Sequence, residues 1–248
     1  MKKALVTGAS GGIGRAFAKA LARDGYSITL IARSDDKLKL VQDELAGEGH
    51  KYIVADLAEK VGVEKISSEI FSTHYDLLIN NAGAGYYDEF TKQPLQKWQQ
   101  IMRLNCDSLL ELTYAYLKNA KQGDVIVNIA SILAELPYPP GAVYAASKAF
   151  VLSLTESLWY EQEKKGVFVL AVCPGVTETG FHVAAGGLET EKAAQSLTQT
   201  PDEVVEETMR ALALRSGPTL ITGWKNKLGL FLARFVTRRR LLKIMGSW

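Results

Sequence analysis

Short apolar runs and longer mixed segments alternate along the whole chain. The runs fall at 3–6, 28–31, 52–54, 77–79, 125–129, 167–172 and 220–221, and several are almost uniformly Val, Ile and Leu. Such runs suit strands covered on both faces, whereas a half-exposed strand alternates apolar and polar residues. Parallel pairing needs crossovers of about a dozen residues or more, and the helical patterns between the runs supply them. The pattern predicts an α/β fold: a doubly wound, Rossmann-type, mostly parallel sheet of about seven strands flanked by helices. Gly25 follows the first helix, and Gly47 and Gly49 follow the second, where a left-handed helix end favours glycine. Thr200-Pro201-Asp202-Glu203 combines a capping box with proline at the first helical position and predicts a helix from Pro201 to about Leu214.

With 248 residues, 47% hydrophobic and 23% charged, and no linker, repeat or low-complexity stretch, the chain reads as one domain with a substantial core. Cys106 and Cys173 lie in apolar stretches with neither a CxxC pair nor metal-ligand spacing to a histidine, so buried free thiols are expected and no metal site. Only Ala4, Leu5 and Val6 separate the charged start from polar Thr7, too few for a secretory signal, and a cytoplasmic location is expected. Charge changes the picture at the end of the chain. The last acid is Glu207, nine Lys/Arg follow it, and with a net +2 overall the residues up to that point carry −7.

The turn Thr7-Gly8-Ala9-Ser10-Gly11-Gly12-Ile13-Gly14 joins the first strand to the first helix. Small residues there let the backbone turn tightly and approach a ligand, and a helix N-terminus offers free N–H groups and about half a positive charge to a pyrophosphate. The second strand ends in Ala32-Arg33-Ser34 with no acid to accept a ribose 2′-hydroxyl. A guanidinium at that point pairs with a 2′-phosphate instead, which favours NADP(H) over NAD(H).

Tyr144 and Lys148 lie four residues apart on a long helical pattern and so project from one face. Bringing a phenol from a pKa near 10 to about 7 takes roughly 4 kcal/mol. An ammonium at about 4 Å supplies that much at an effective dielectric of 20, but only about 1 kcal/mol in water, so the pair needs a shielded setting. Ser131 closes the 125–129 strand region, where its hydroxyl can meet a substrate oxygen as charge develops.

Together these residues resemble the short-chain dehydrogenase/reductase family, from Lys3 to about Thr179. Gly8, Gly12 and Gly14 match its TGxxxGxG turn, Asp56-Leu57 its acidic position at the adenine, and Asn80-Asn81-Ala82-Gly83 its NNAG motif. Asn105 matches the asparagine of the proton relay, Ser131, Tyr144 and Lys148 the catalytic serine and YxxxK pair, and Pro174-Gly175 and Thr179 the PGxxxT segment beside the nicotinamide. The resemblance implies NADP(H) held by Gly8, Ser10, Gly12, Ile13, Gly14, Arg33, Asp56, Leu57, Asn81, Ala82, Gly83, Tyr144, Lys148, Pro174, Gly175, Thr177 and Thr179. It implies hydride transfer to or from a carbonyl or alcohol carbon, with Asn105, Ser131, Tyr144 and Lys148 as the catalytic set. A homodimer or homotetramer is expected, with no nucleic-acid partner. Residues 1–223 form the catalytic domain in this reading, with a variable substrate loop at 180–197, and 224–248 a basic, apolar helical extension. Ala130 stands where a second serine is frequent, and Leu136-Pro137-Tyr138-Pro139-Pro140-Gly141 is an unusual approach to Tyr144.

Tyr86, Tyr87, Leu133, Leu136, Tyr138, Phe181 and Leu188 suggest an apolar or aromatic substrate. Two rivals remain: a dinucleotide-binding sensor or scaffold that catalyses nothing, and an epimerase or dehydratase acting on nucleotide-sugars. Intact Tyr144, Lys148, Ser131 and Asn105 weigh against the first; the short segment after Thr179, without an evident sugar-binding set, weighs against the second. In the tail, apolar residues from Leu228 to Met245 interleave with seven cations, and no run nears the roughly 20 residues that span a bilayer. The preferred expectation is a terminal helix that covers the pocket or another subunit, the alternative a segment lying on an anionic membrane.

Overall fold

A computed structural model describes residues 1–186 and 198–246. Its strands are β1 (Lys3–Thr7), β2 (Ser27–Ala32), β3 (Lys51–Val54), β4 (Leu77–Asn80), β5 (Val125–Ile129), β6 (Phe168–Cys173) and β7 (Thr219–Ile221). They form one seven-stranded sheet in the order β3-β2-β1-β4-β5-β6-β7, every pair parallel. The chain order reverses between β1 and β4, the point at which open α/β sheets place their ligands, in a crevice outside the carboxyl ends of the strands.

The apolar runs lack alternation because both faces of the sheet are covered. Ala4 and Val6 of β1 join one core cluster, with Phe17 and Leu21 of α1 (Gly12–Arg23). Leu5, between them, joins the other, with Ile66 and Ile70 of α3 (Lys60–Ser72) and Leu112 of α5 (Ser108–Asn119). Successive side chains of a strand point to opposite faces, so each run feeds both cores. Helix α8 (Pro201–Leu214) lays Val204, Val205 and Ala211 on the α1 side. Its predicted box is present: the Thr200 hydroxyl accepts from the Glu203 N–H at 3.2 Å, and the Glu203 carboxylate accepts from the Thr200 N–H at 2.8 Å.

Helix α8 ends on Arg215, the one non-glycine among the described residues with positive φ (45°). Its guanidinium donates to the Gly123 carbonyl at 3.3 Å and lies over the Phe168 ring. Helix α2 (Asp35–Asp43) stops short of the expected Gly47. The Glu44 and Leu45 N–H groups turn back to the carbonyls of Val41 and Gln42, which tightens the chain enough to bury Leu45 in the core. Glu44 is meanwhile held by Arg15 and Lys19 of α1.

The remaining elements frame the carboxyl edge. Helix α4 (Leu95–Met102) runs into a π-helical turn, Arg103–Asp107, ahead of α5, and α6 (Ala142–Glu163) follows a 3-10 turn at Pro139–Gly141. A short helix α7 (Phe181–Ala184) follows β6. The predicted single tail helix is two, α9 (Trp224–Ala233) and α10 (Arg238–Gly246). Between them the N–H groups of Phe235 and Val236 bond back only three residues, to Leu232 and Ala233, and Thr237 restarts the ladder by accepting from Leu241. Among the described residues no helix is long and apolar enough to cross a membrane.

A buried polar network fastens the middle of the sheet. Asn80 Nδ2 donates to Thr113 Oγ1 at 3.0 Å and to Asn128 Oδ1 at 2.9 Å, and Asn128 Nδ2 donates to Thr155 Oγ1 at 3.0 Å. It ties β4 and β5 to α5 and α6, both on the same face of the sheet. Asn128 has no exposed surface. Replacing it with Ala removes two buried hydrogen bonds and leaves a cavity, so Asn128→Ala should lower unfolding free energy by about 2–4 kcal/mol in urea titrations. A loss under about 0.5 kcal/mol would mean that the network does not carry the β4–β5 junction.

Candidate active site

The glycine turn closes the gap between β1 and β4 by contacts that exclude larger residues. A Cβ on Gly14 would lie 2.3 Å from the Gly8 carbonyl oxygen and 2.5 Å from Asn81 Nδ2. Gly8 itself has φ +64°, and a Cβ there would meet Asn81 Nδ2 at 2.7 Å. Asn81 Nδ2 donates to the carbonyls of Thr7 and Gly8, while the Thr7 hydroxyl accepts from the N–H groups of Asn81 and Ala82. Helix α1 begins just beyond with no side chain capping it, so its first N–H groups stay available to an anion. Ile13 packs on the core below the turn, Ser10 lies half-buried within it, and Thr179 comes from across the crevice to lie against Gly12.

At the end of β2, Arg33 leaves 72% of its side chain exposed and lies 3.8 Å from Asp56 Oδ2. The other Asp56 oxygen accepts from the Ala58 N–H at 2.9 Å, and Leu57 turns into the core. Pro174 and Gly175 follow β6. The Pro174 carbonyl accepts from Ile132, Thr177 donates to the Gly175 carbonyl, and a Cβ on Gly175 would lie 2.4 Å from Asn226 Nδ2. The predicted nucleotide-side residues therefore gather along the carboxyl edge of the sheet, with Arg33 and Asp56 at its β2–β3 end, while Ile13 and Leu57 pack against the core.

Asn105, Ser131, Tyr144 and Lys148 come together at the carboxyl ends of β4 and β5, and all four are buried. Ser131 leaves β5 and caps the 3-10 turn Ile132–Ala134, its hydroxyl accepting from the Leu133 N–H at 3.2 Å and hydrogen bonding with Tyr144. Lys148 Nζ donates to the Ile129 carbonyl at 2.7 Å and stands 5.9 Å from the Tyr144 ring centre. Asn105, in the π-helical turn, accepts from the Ala84 N–H and donates to the Ala84 carbonyl and to Ser147 Oγ, each at 2.9 Å. Ser147 in turn donates to the Tyr144 carbonyl. A Cβ on Gly83 would meet Asn105 Oδ1 and Lys148 Nζ at 3.3 and 3.4 Å, so only glycine leaves that approach open.

The shielding that the Tyr–Lys pair requires is present, but its effect on the two groups runs opposite to a ready phenolate. Burial pushes Tyr144 up to about 12, with the Ser131 hydrogen bond pulling the other way. Burial brings Lys148 down to about 8. In the cofactor-free protein the phenol is thus a firmly protonated acid, and the ammonium carries much of the cost of desolvation.

Aromatic rings wall the space beside Tyr144. Tyr87 and Phe181 lie 6.2 and 5.4 Å from its ring centre, and Tyr138 stands 5.5 Å from Tyr87. Tyr86 meets Trp98 edge to face at 6.0 Å and lies under Lys97. Leu133 and Leu136 are half-buried on the Ser131 side, and Leu188 lies outside the described residues. Thr7, Ser147, Gln199 and Asn226 escaped the sequence reading. Thr7 and Ser147 stand inside quoted motifs, where a polar residue could have been asked for its partner. Asn226 and Gln199 have no local signal, since Gly223, Thr222 and Gly175 bring them together from distant segments.

A short chain dehydrogenase family model matches residues 2–188. A short chain dehydrogenase of Pseudocercospora fijiensis is 36% identical over 186 residues, 72% of this chain and 60% of that protein, so the match spans less than two thirds of that relative. Oxidoreductase UcpA of Salmonella typhimurium is 32% identical over 221 residues, covering 86% of this chain and 81% of that one. Among solved structures, a short-chain dehydrogenase from Sphingobium yanoikuyae in complex with NADPH superposes with a TM-score of 0.82 at 27% identity, over 95% and 94% of the two chains. The bulky-bulky ketone specific alcohol dehydrogenase from Comamonas testosteroni does so with 0.78 at 27% identity, over 95% and 92%.

The position of Lys148 sets a pH-dependent cost. A lysine whose pKa falls on folding is penalised while it must stay charged, and the penalty fades as pH rises from about 8 toward its unfolded value near 10.5. Lys148→Met should therefore stabilise the cofactor-free protein by about 1–3 kcal/mol at pH 7, a gain that shrinks toward zero by about pH 10. Paired urea titrations across that range measure it; a gain that grows with pH would show that burial does not tax the ammonium.

Proposed function

Since the chain belongs to the short-chain dehydrogenase family, we propose that it is an NADP(H)-dependent oxidoreductase that interconverts a carbonyl and an alcohol on a lipophilic or aromatic small molecule. The observation that carries this reading is the buried cluster of Ser131, Tyr144 and Lys148 at the end of a glycine-lined crevice. The crevice fits a dinucleotide on its own terms. Gly8 and Gly14 let the turn close onto Asn81 where no Cβ has room, the α1 N-terminus just beyond is uncapped, and the end of β2 offers an exposed guanidinium and no acid. The neighbour solved with NADPH supports the same cofactor. Gly8, Ser10, Gly12, Ile13 and Gly14 would cradle the pyrophosphate, Asp56 and Leu57 the adenine, and Asn81, Ala82, Gly83, Pro174, Gly175, Thr177 and Thr179 the nicotinamide half.

When bound, nicotinamide supplies or accepts the hydride. In the direction of reduction the Ser131 hydroxyl donates to the carbonyl oxygen and polarises it. Tyr144, held protonated by burial, gives its proton to that oxygen as charge develops there. Lys148 stands beside Gly83 and 5.9 Å from the Tyr144 ring centre, with its ammonium already fixed on the Ile129 carbonyl, where it favours transient phenolate and can hold a ribose hydroxyl. Asn105 acts through the groups it binds: it fixes Ala84, beside Gly83, and Ser147, on the turn of α6 that carries Tyr144. Tyr87, Tyr138 and Phe181 exclude water and present ring faces and edges to the substrate, which favours an aromatic or bulky apolar ketone. The likeness to a ketone-specific alcohol dehydrogenase supports that class.

Tyr144→Phe removes one hydroxyl needed mainly in the transition state. It should keep NADPH affinity and lose nearly all turnover; retention of more than about a tenth of kcat, a loss under about 1.4 kcal/mol, would remove Tyr144 as the acid. A panel of ketones, aldehydes and quinones followed by NADPH absorbance tests the wider reading. Absence of turnover on every class, with NADPH bound, would return the chain to the scaffold alternative.

Cofactor choice has its own test at Arg33. Arg33→Ala should weaken NADPH by about 10- to 150-fold while leaving NADH within about threefold, because a charge-assisted contact to the 2′-phosphate is worth about 1.5–3 kcal/mol. Equal weakening of the two cofactors in titrations would assign Arg33 to its Asp56 contact alone.

A further inference from the structure

Helices α9 and α10 present a surface that the crevice does not use. Helix α9 turns Asn226 and Leu230 into the body, and the Asn226 amide donates to the Thr222 carbonyl at 2.8 Å. Trp224, Leu228, Phe231, Leu232 and, just past the helix, Phe235 recur at i, i+4, i+7, i+8 and i+11. That spacing lines them along the opposite face, away from Asn226 and Leu230. They are 70%, 47%, 55%, 54% and 76% exposed, and the rings of Phe231 and Phe235 meet edge to face at 5.3 Å. Lys225 and Lys227 flank the stripe, and Lys227 also reaches Glu207 of α8 at 3.6 Å. Helix α10 turns Leu241 inward and exposes Arg239, Arg240 and Lys243, with Leu242 and Ile244 beside them.

An aromatic stripe facing water, bordered by cations, needs a cover that is apolar at depth and anionic at its rim. We propose that α9 and α10 dock the protein on an anionic lipid bilayer, the α9 stripe entering the interface and the α10 cations lying against the headgroup anions. Charge selects this occupant. No acid follows Glu207, while the residues up to it carry a net −7, so an anionic surface attracts the tail and repels the rest of the chain. A second copy placed symmetrically on this face would set cation against cation. The helices are too short to span and lie in the plane instead, where lysine and arginine stems reach the phosphate level.

The test uses the full chain and sedimented vesicles of phosphatidylcholine alone or with about one third phosphatidylglycerol. Wild type should pellet with the anionic vesicles at low salt, stay in solution with the neutral ones, and be released at about 0.5 M salt. Neutralising Arg239, Arg240 and Lys243 together as Gln should lower partitioning about 100-fold or more. Phe231→Ser with Phe235→Ser should abolish it, and both sets are exposed enough to keep the fold, which unchanged circular dichroism and NADPH affinity would verify. Absence of binding at low salt, or equal binding to neutral vesicles, overturns the proposal. So does a change of sedimentation coefficient in the Phe variant without loss of vesicle binding, which would assign the face to a second copy.

Discussion

The carboxyl edge of the sheet depends on one close approach, that of the β1–α1 turn to the first residues after β4. The Asn81 amide bridges the Thr7 and Gly8 carbonyls, and the Thr7 hydroxyl takes up the N–H groups of Asn81 and Ala82. Both strands end here with backbone groups that no strand partner satisfies, and buried groups of that kind must find partners. The side chains that satisfy them also bring the backbone so near that Gly8 and Gly14 have no space for a Cβ. The same junction leads the chain through Ala82 and Gly83 past Lys148 and Asn105. A single packing constraint thus sets both the phosphate end and the reacting end of the crevice.

The fold was legible because its signals are local and repeated. Runs such as Ile28–Ile31 and Val167–Val172 lie within one or two residues of β2 and β6, and the Thr200–Glu203 box starts α8 at Pro201. The end of α2 was misread because its stop is tertiary: burial of Leu45 and the salt bridges of Glu44 draw the chain off the helix before any glycine arrives. Periodicity likewise could not divide the tail, since neither proline nor glycine marks the turn at Arg234–Thr237. At the site, residue types and spacing were enough to name Tyr144, Lys148, Ser131 and Asn105 as a set. Which aromatic ring turns toward Tyr144 was beyond them, because the Tyr86 ring follows Trp98 and Lys97, residues that only the folding of α4 places there.

The reacting end holds its charges at a cost that its function explains. Burying an ammonium and a phenol together disfavours the charged form of each. A site made for stability alone would fill that volume with apolar side chains. Instead the polar groups are held by backbone carbonyls and by Ser147 and Ser131, so that little reorganisation is left for the moment of reaction.

The opposite edge of the sheet is built differently. There the Asp76 carboxylate accepts from the Lys3 N–H, that of Asp124 accepts from the Lys121 N–H, and Arg215 reaches from the end of α8 to the Gly123 carbonyl, held in a left-handed backbone that glycine would adopt more readily. Side-chain ties bind the amino ends of β1, β4 and β5 like the spine of a book. At the carboxyl ends the corresponding ties, from Thr7 and Asn81, hold a turn of glycine and small residues instead. Arg215 adds to the amino end a tie between residues 92 apart in the chain, so that end is fastened by long-range contacts as well as by local ones.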